Sequence, residues 1–184
     1  MNDLNVYIVG FMGSGKSTVG RLLAERMGME FIDTDELIEK KTEISIEELF
    51  KRFGEDFFRE IEARILFEVS KTLGVVVACG GGAVLRDENM RLLKSTGIIV
   101  YLHVSIEELV KRLANDDKRP LLQVDNKVQV IRSLYSTRLP LYMKYADIIV
   151  DNTRKRPKDV VREIFDEIRR LEHDSLHISW KRER

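Results

Sequence analysis

The sequence predicts an α/β protein in three layers, α/β/α, with a parallel sheet lying between two sets of helices. Three observations carry that expectation. Short β-branched runs alternate with longer amphipathic segments, the order expected of successive βαβ units. The short runs are nearly continuous in apolar residues, as strands buried on both faces are. The chain, at 184 residues, is long enough for one domain with a sizeable core.

The elements follow in order. Val6–Val9 is the first strand and Lys16–Met27 the helix after it. Phe31–Ile32 is a short second strand, and helices follow over about 35–41, 45–53 and 55–72. Val75–Ala78 is the third strand and runs into Gly80-Gly81-Gly82, with a helix at about 87–95 beyond it. Ile98–Leu102 and Ile148–Val150 are the fourth and fifth strands. Ser45 with Glu48, and Ser105 with Glu108, fit the capping box, in which each partner satisfies an orphan backbone donor. Pro157 opens the last helix, where its missing N–H costs nothing, and that helix is expected to end near Leu171. Residues 172–184 read as a loosely held polar tail in which Leu176, Ile178 and Trp180 pack locally.

Composition narrows the function. Lys plus Arg and Asp plus Glu both number 31, so no basic excess points to nucleic acid or a membrane surface. No stretch approaches the roughly 20 apolar residues of a membrane helix, and the polar, acidic start is unlike an export signal. Cys79 is the single cysteine, so no internal disulfide forms, which suits a reducing cytoplasm. It reads as a small buried residue at a strand end. His103, His173 and His177 are not spaced for a metal site or a triad.

The strongest local signal is Gly10-Phe11-Met12-Gly13-Ser14-Gly15-Lys16-Ser17, which fits G-x-x-x-x-G-K-[ST] between a strand and a helix. Such a loop turns backbone N–H groups inward around phosphate, and the helix behind it directs its positive end to the same place. Gly13, Ser14 and Gly15 form the cradle, Lys16 reaches the outer phosphates of ATP, and the Ser17 hydroxyl ligates Mg²⁺. Thr18 caps or packs the first helix turn and is a weaker nucleotide contact.

The metal's water shell needs a carboxylate as well. Asp151 follows an apolar strand but lies near the end of the chain, and the third strand ends in glycines without an acid. Asp33-Thr34-Asp35 suits the role better, with one carboxylate toward the metal and the other toward an acceptor. An ordinary helix start, where Asp is favoured, stands as the alternative.

Taken together, the Gly10–Ser17 loop, Asp33-Thr34-Asp35, Phe58-Arg59-Glu60, Gly80-Gly81-Gly82, Arg119-Pro120-Leu121-Leu122 and Arg138-Leu139-Pro140-Leu141-Tyr142 resemble the shikimate kinase family over about residues 5–171. The resemblance implies a P-loop fold of the nucleoside-monophosphate-kinase type with a five-stranded parallel sheet. It implies transfer of the ATP γ-phosphate to the 3-hydroxyl of shikimate, a step of aromatic amino-acid biosynthesis. Arg59 and Arg138 match the family's carboxylate-binding arginines, a task suited to the planar guanidinium fork. Gly81 matches a substrate-contacting glycine, with Gly82 beside it. Asp35 matches the residue that holds the ring hydroxyls and can accept the attacking proton. Asp33 matches the metal-side carboxylate. From position alone, Arg59 is open to pairing with Glu55 or Glu62 instead, Arg138 to marking a helix irregularity at Pro140, and the glycines to being a flexible strand exit.

Residues 115–120 are polar and turn-like and read as part of a lid over about 112–125, beside an acceptor region over about 34–60. Arg119 matches the family's lid arginine, which stabilises charge on the transferring phosphoryl group; a plain surface loop is the alternative. The resemblance also puts Arg112 and Lys155 beside adenine, with Arg154 and Arg156 as competitors for the second position. The expected partners are ATP and shikimate for a cytoplasmic monomer. Another small-acceptor kinase, gluconate- or nucleotide-kinase-like, and a non-catalytic nucleotide-binding protein on the same fold remain as alternatives.

Overall fold

Strands β1 (Asn5–Val9), β2 (Glu30–Asp33), β3 (Val75–Ala78), β4 (Gly97–His103) and β5 (Ile148–Asp151) form one sheet. Their order is β2-β3-β1-β4-β5, and every pair is parallel. The structure, a computed structural model, describes residues 4–114, 116 and 119–182, with side chains as far as residue 173. The helices are α1 (Lys16–Met27), α2 (Thr34–Thr42), α3 (Ile46–Val69), α4 (Asp87–Thr96), α5 (Ile106–Leu113), α6 (Lys127–Tyr145) and α7 (Pro157–Arg182). Short 3-10 turns lie at Ala83–Leu85 and Pro120–Leu122.

Alternation along β1 divides the core in two. Tyr7 and Val9 face a cluster built with Leu66 of α3, Met90 of α4, Leu109 of α5 and Tyr142 of α6. Val6 and Ile8 face the opposite cluster, with Val19 and Leu23 of α1 and Val160 and Ile164 of α7. These are the three expected layers. Burial of each such aliphatic side chain contributes about 1.5–3 kcal/mol, so both faces of the sheet are held by helices.

The edge strands depart from the continuous pattern. In β5, Ile149 is exposed between buried Ile148 and Val150, and none of β2 is fully buried. An edge strand has a neighbour on one side only, so helices cover its faces less completely. In the middle of the sheet, β1 sends its chain between neighbours on opposite sides, β3 and β4. That reversal opens a crevice at the carboxyl ends of the strands, where ligands bind in open α/β sheets. The loop of residues 10–17 lies there.

The break expected near residue 54 is real. Gly54 has φ 82° and divides α3 into two segments, a conformation that favours glycine. The capping boxes are only half formed. Ser45 Oγ accepts from Glu48 N at 3.2 Å and Ser105 Oγ accepts from Glu108 N at 3.4 Å. The returning carboxylates are drawn to Arg52 and Arg112 instead, and Thr153 Oγ1 accepts the Ser105 N–H at 3.0 Å. Charged partners one helical turn away outcompete a neutral N–H. α7 continues past Leu171 to Arg182, because residues 172–182 contain no glycine or proline to stop it. The expected packing of Leu176, Ile178 and Trp180 lies outside the described side chains. No helix among the described residues is long and apolar enough to cross a membrane.

Candidate active site

The phosphate loop begins where β1 ends. Gly13 and Gly15 have φ 76° and 91°, which turn the backbone so that the first N–H groups of α1 are left without carbonyl partners. Lys16 folds back along the loop, its Nζ donating to Phe11 O at 3.0 Å. Burial lowers its pKa to about 8, opposed chiefly by the charge of Asp35, while the Arg119 charge adds to the lowering. A desolvated ammonium beside orphan N–H groups is prepared for an anion.

Two residues far along the chain brace this loop. Asn152, just past β5, is buried and donates from Nδ2 to Ser14 O at 2.7 Å. Arg112 of α5 donates to Gly13 O at 3.2 Å and to Asn152 O at 3.4 Å, and its Nε pairs with Glu108 at 3.0 Å. Thr18 neither caps nor packs α1. Gly15 is the N-cap and Thr18 is exposed, because the first helical turn presents that position outward.

Asp33 is the helix start that the sequence allowed, and it is bonded to Ser17 as well. Oδ1 caps α2, accepting from Asp35 N at 3.0 Å and Glu36 N at 3.4 Å, while Oδ2 accepts from Ser17 Oγ at 2.6 Å. No group of three or more His, Cys, Asp or Glu among the described residues could hold a metal by itself. A hydroxyl and a carboxylate side by side at the phosphate end suit Mg²⁺, which keeps most of its waters and takes the rest of its ligands from phosphate. Asp151 is elsewhere, exposed and accepting from Thr153 N at 2.9 Å.

Beside the loop lies a cavity of about 440 Å³, within the size range of small-molecule sites. Asp35, Arg59, Arg119 and Arg138 all line it, with Met12 and Phe58 among the apolar walls. Lys16 is not on its wall but is close enough to Asp35 and Arg119 to feel both charges. Burial raises the pKa of Asp35, the charge of Asp33 adds to the rise, and Lys16, Arg119 and Arg59 oppose it.

The two deep arginines are held differently. Arg59 bonds Glu62 at 2.8 Å and Glu55 at 2.9 Å and 3.2 Å, so the anionic partners that its helix position calls for come from its own helix. The other two of its five N–H groups have no partner among the described residues, and Arg59 lines the cavity. Arg138 is only 2% exposed and has no carboxylate within ion-pair distance among the described residues. Its Nη1 donates to Gly81 O at 3.3 Å, and the face of Phe11 lies 5.8 Å away. Burial lowers its pKa, as does the nearby charge of Arg59. Glu55 opposes that lowering from a distance, so Arg138 feels a carboxylate without pairing to one among the described residues. Two guanidinium groups in one buried recess, one without an ion-paired carboxylate, suit an anionic ligand.

The three glycines are spacers rather than a slack exit. A Cβ on Gly82 would fall 2.2–2.3 Å from three atoms of the Arg59 guanidinium, and one on Gly80 would fall 2.5 Å from Glu62 Oε1 and 2.7 Å from Asp35 Oδ1. Gly81 packs against the phosphate loop, 3.3 Å from Met12 N on the same measure. Its carbonyl also accepts from Tyr142 Oη at 2.5 Å.

Arg119 lines the cavity from the segment read as a lid and pairs with Asp116 at 2.8 Å. Residues 115, 117 and 118 of the expected lid lie outside the described residues. The basic run is split among carboxylates. Lys155 bonds Glu163 at 2.8 Å, Arg156 bonds Asp159 at 2.7 Å, and Arg154 approaches Glu108 at 3.5 Å. Arg154 therefore shares a carboxylate with Arg112, and Lys155 turns to α7.

Sequence reasoning named Glu62 only as a possible partner of Arg59 and Tyr142 only as the end of a segment, without a role, and it missed Asn152. Glu62 is 1% exposed, with Oε1 unpartnered, and burial raises its pKa against the pull of Arg59. Its i+3 spacing from Arg59, and the i+4 spacing of Tyr142 from Arg138, were the available signals. Cys79 is buried as expected, and burial pushes its thiol pKa up.

Comparison with known proteins bears on this geometry. The shikimate kinase family model matches residues 12–169. A shikimate kinase of Pseudomonas paraeruginosa is 45% identical over 168 residues, covering 91% of this chain and 98% of that protein. The shikimate kinase of Acinetobacter baumannii in complex with shikimate superposes with TM-score 0.87 at 41% identity, covering 90% of this chain and 92% of that one. The shikimate kinase of Aquifex aeolicus superposes with TM-score 0.82 at 35% identity, covering 94% and 99%.

Proposed function

The chain belongs to the shikimate kinase family, and on that footing we propose that Lys16, Asp35 and Arg119 carry the γ-phosphoryl group of ATP onto the 3-hydroxyl of shikimate. The activity is that of an ATP:shikimate 3-phosphotransferase, with ADP and 3-phosphoshikimate as products, in aromatic amino-acid biosynthesis. The observation that carries the residue assignment is the buried Arg138, without an ion pair among the described residues, in one cavity with Arg59, Asp35 and Arg119.

Shikimate is a ring acid. Arg138 and the free N–H groups of Arg59 grip its carboxylate, and Gly81 and Gly82 let the backbone lie against the ring. That grip points the 3-hydroxyl at Asp35. As the hydroxyl oxygen forms its bond to the γ-phosphorus, Asp35 accepts the proton and the bond from phosphorus to the ADP oxygen breaks. The raised pKa of Asp35 suits it to that proton. Lys16 and Arg119 meet the negative charge that develops on the transferring group, and Gly13, Ser14 and Gly15 hold the other phosphates with their N–H groups. Ser17 and Asp33 would hold Mg²⁺, Asp33 through water. When bound, the ion neutralises phosphate charge.

Adenine lies beside Arg112 and the loop of residues 154–156, with Lys155 or Arg154 on its far side; Thr18 stays near the phosphates. The domain of residues 1–171 carries the reaction, with 112–125 as lid and 34–60 as acceptor region, while 172–184 take no part in it. Every residue named belongs to one chain, so a monomer suffices. The single, fully buried cysteine suits a cytoplasmic enzyme.

A coupled ADP-release assay tests the assignment. ADP forms when shikimate is added, and Lys16→Ala abolishes it. Undiminished release by Lys16→Ala would defeat the assigned role of that residue.

A further inference from the structure

Thr34 sits between the two carboxylates, fully buried, at the first position of α2. Its Oγ1 accepts the buried N–H of Gly80 at 2.9 Å. This bond joins the Asp33–Asp35 turn to the glycine turn, which carries much of the acceptor site. Gly81 O receives Arg138 and Tyr142, Gly82 lies beneath the Arg59 guanidinium, and Gly80 is flanked by the carboxylate oxygens of Asp35 and Glu62. Those two oxygens occupy the space that a side chain at residue 80 would need, so the turn and the two carboxylates pack as one unit.

We propose that Thr34 is a positioning residue for the acceptor: its hydroxyl fixes the Gly80–Gly82 turn, and through that turn the spacing between Asp35 and the two carboxylate-gripping arginines. The proposal rests on the reading of the cavity as the shikimate site. The nucleotide side has a separate anchor, because Asp33 is held by its own bonds to Asp35 N, Glu36 N and Ser17 Oγ. Loss of the Thr34 hydroxyl therefore acts on the acceptor and not on ATP. Valine keeps the shape of threonine but leaves the Gly80 N–H without an acceptor in a buried place, and the turn must shift to find one. Serine keeps the acceptor.

The test is calorimetric binding of shikimate and of a non-hydrolysable ATP analogue to the full chain, as wild type, Thr34→Val and Thr34→Ser, with a thermal melt of each. Thr34→Val is expected to raise the Kd for shikimate about tenfold or more and to lower kcat as Asp35 drifts from the attacking hydroxyl. The Kd for the ATP analogue stays within about twofold of wild type, and Thr34→Ser recovers shikimate binding. A hydroxyl that serves only the fold would lower Tm and leave both Kd values unchanged; that result would overturn the proposal. So would equal weakening of both ligands, or no recovery with serine. A wild-type protein that binds no shikimate would defeat the reading of the cavity, and this proposal with it.

Discussion

Methionine in place of Arg59 and of Arg138 separates binding from stability. Both arginines are assigned to the acceptor carboxylate, yet they are held in different ways. Arg59 neutralises Glu62, which is 1% exposed. Its removal strands a buried carboxylate, at a cost of about 3–5 kcal/mol. At about 2–4 °C per kcal/mol for a chain of this size, the ligand-free protein should lose roughly 6–20 °C of Tm. Arg138 makes no ion pair among the described residues and acts on Glu62 only from a distance, more weakly than Arg59 does. Its removal loses one hydrogen bond to Gly81 O, worth about 1 kcal/mol, and relieves the cost of burying a cation that has no ion pair among the described residues. Its Tm should therefore stay within a few degrees of wild type. Each variant loses a charge-assisted bond to the ligand, about 1.5–3 kcal/mol. At 1.4 kcal/mol per factor of ten, the Kd for shikimate rises about 10- to 150-fold in both. The assay pairs thermal melts without ligand with shikimate calorimetry, and adds Arg59→Met/Glu62→Gln. The glutamine removes the stranded charge and should recover most of the lost Tm without recovering binding. An Arg138→Met protein destabilised as deeply as Arg59→Met, or one that binds shikimate as wild type does, would refute the reasoning.

Other substitutions probe the remaining parts. Arg119→Ala should lower kcat by about a thousandfold or more while lowering Tm by no more than a few degrees, because its ion pair with Asp116 is partly exposed to solvent; steady-state kinetics and a melt check both. Gly82→Ala pushes a methyl into the Arg59 guanidinium, so the Kd for shikimate should rise by about tenfold with ATP binding intact, read by calorimetry of each ligand. Ser17→Ala removes the hydroxyl bonded to Asp33, and a titration of rate against Mg²⁺ should shift to about tenfold higher concentration.

The parts of the site that are contiguous in the chain were legible in the sequence. The phosphate loop reads directly because one short segment, between a strand and a helix, supplies the whole cradle. Asp33-Thr34-Asp35 and the arginines emerge from ordered segments compared as a set. What the sequence hid are contacts across the fold. Asn152 supports Ser14 from 138 positions along the chain, and no local pattern connects the two. Thr34 looks like filler between two acids until the pairing of β2 with β3 brings Gly80 to its hydroxyl. The glycine turn suggests freedom in sequence, whereas three charged side chains pack against two of its α-carbons. Helix ends misled in a similar way, since Glu48 and Glu108 have arginines one turn ahead that compete with the backbone they were expected to cap. Edge strands gave no sign of their exposure, because position in the sheet is fixed by pairing and not by composition.

The most direct test of the whole account is to locate the transferred phosphate. Wild-type protein is given ATP, Mg²⁺ and an equimolar mixture of shikimate, gluconate and a nucleoside monophosphate, and the products are read by phosphorus–proton correlation NMR. The account predicts a single phosphorylated acceptor, with phosphorus coupled to the proton on the shikimate carbon that bears the 3-hydroxyl. Phosphate on either competitor or on another shikimate hydroxyl, or ADP with no phosphorylated acceptor, would contradict it.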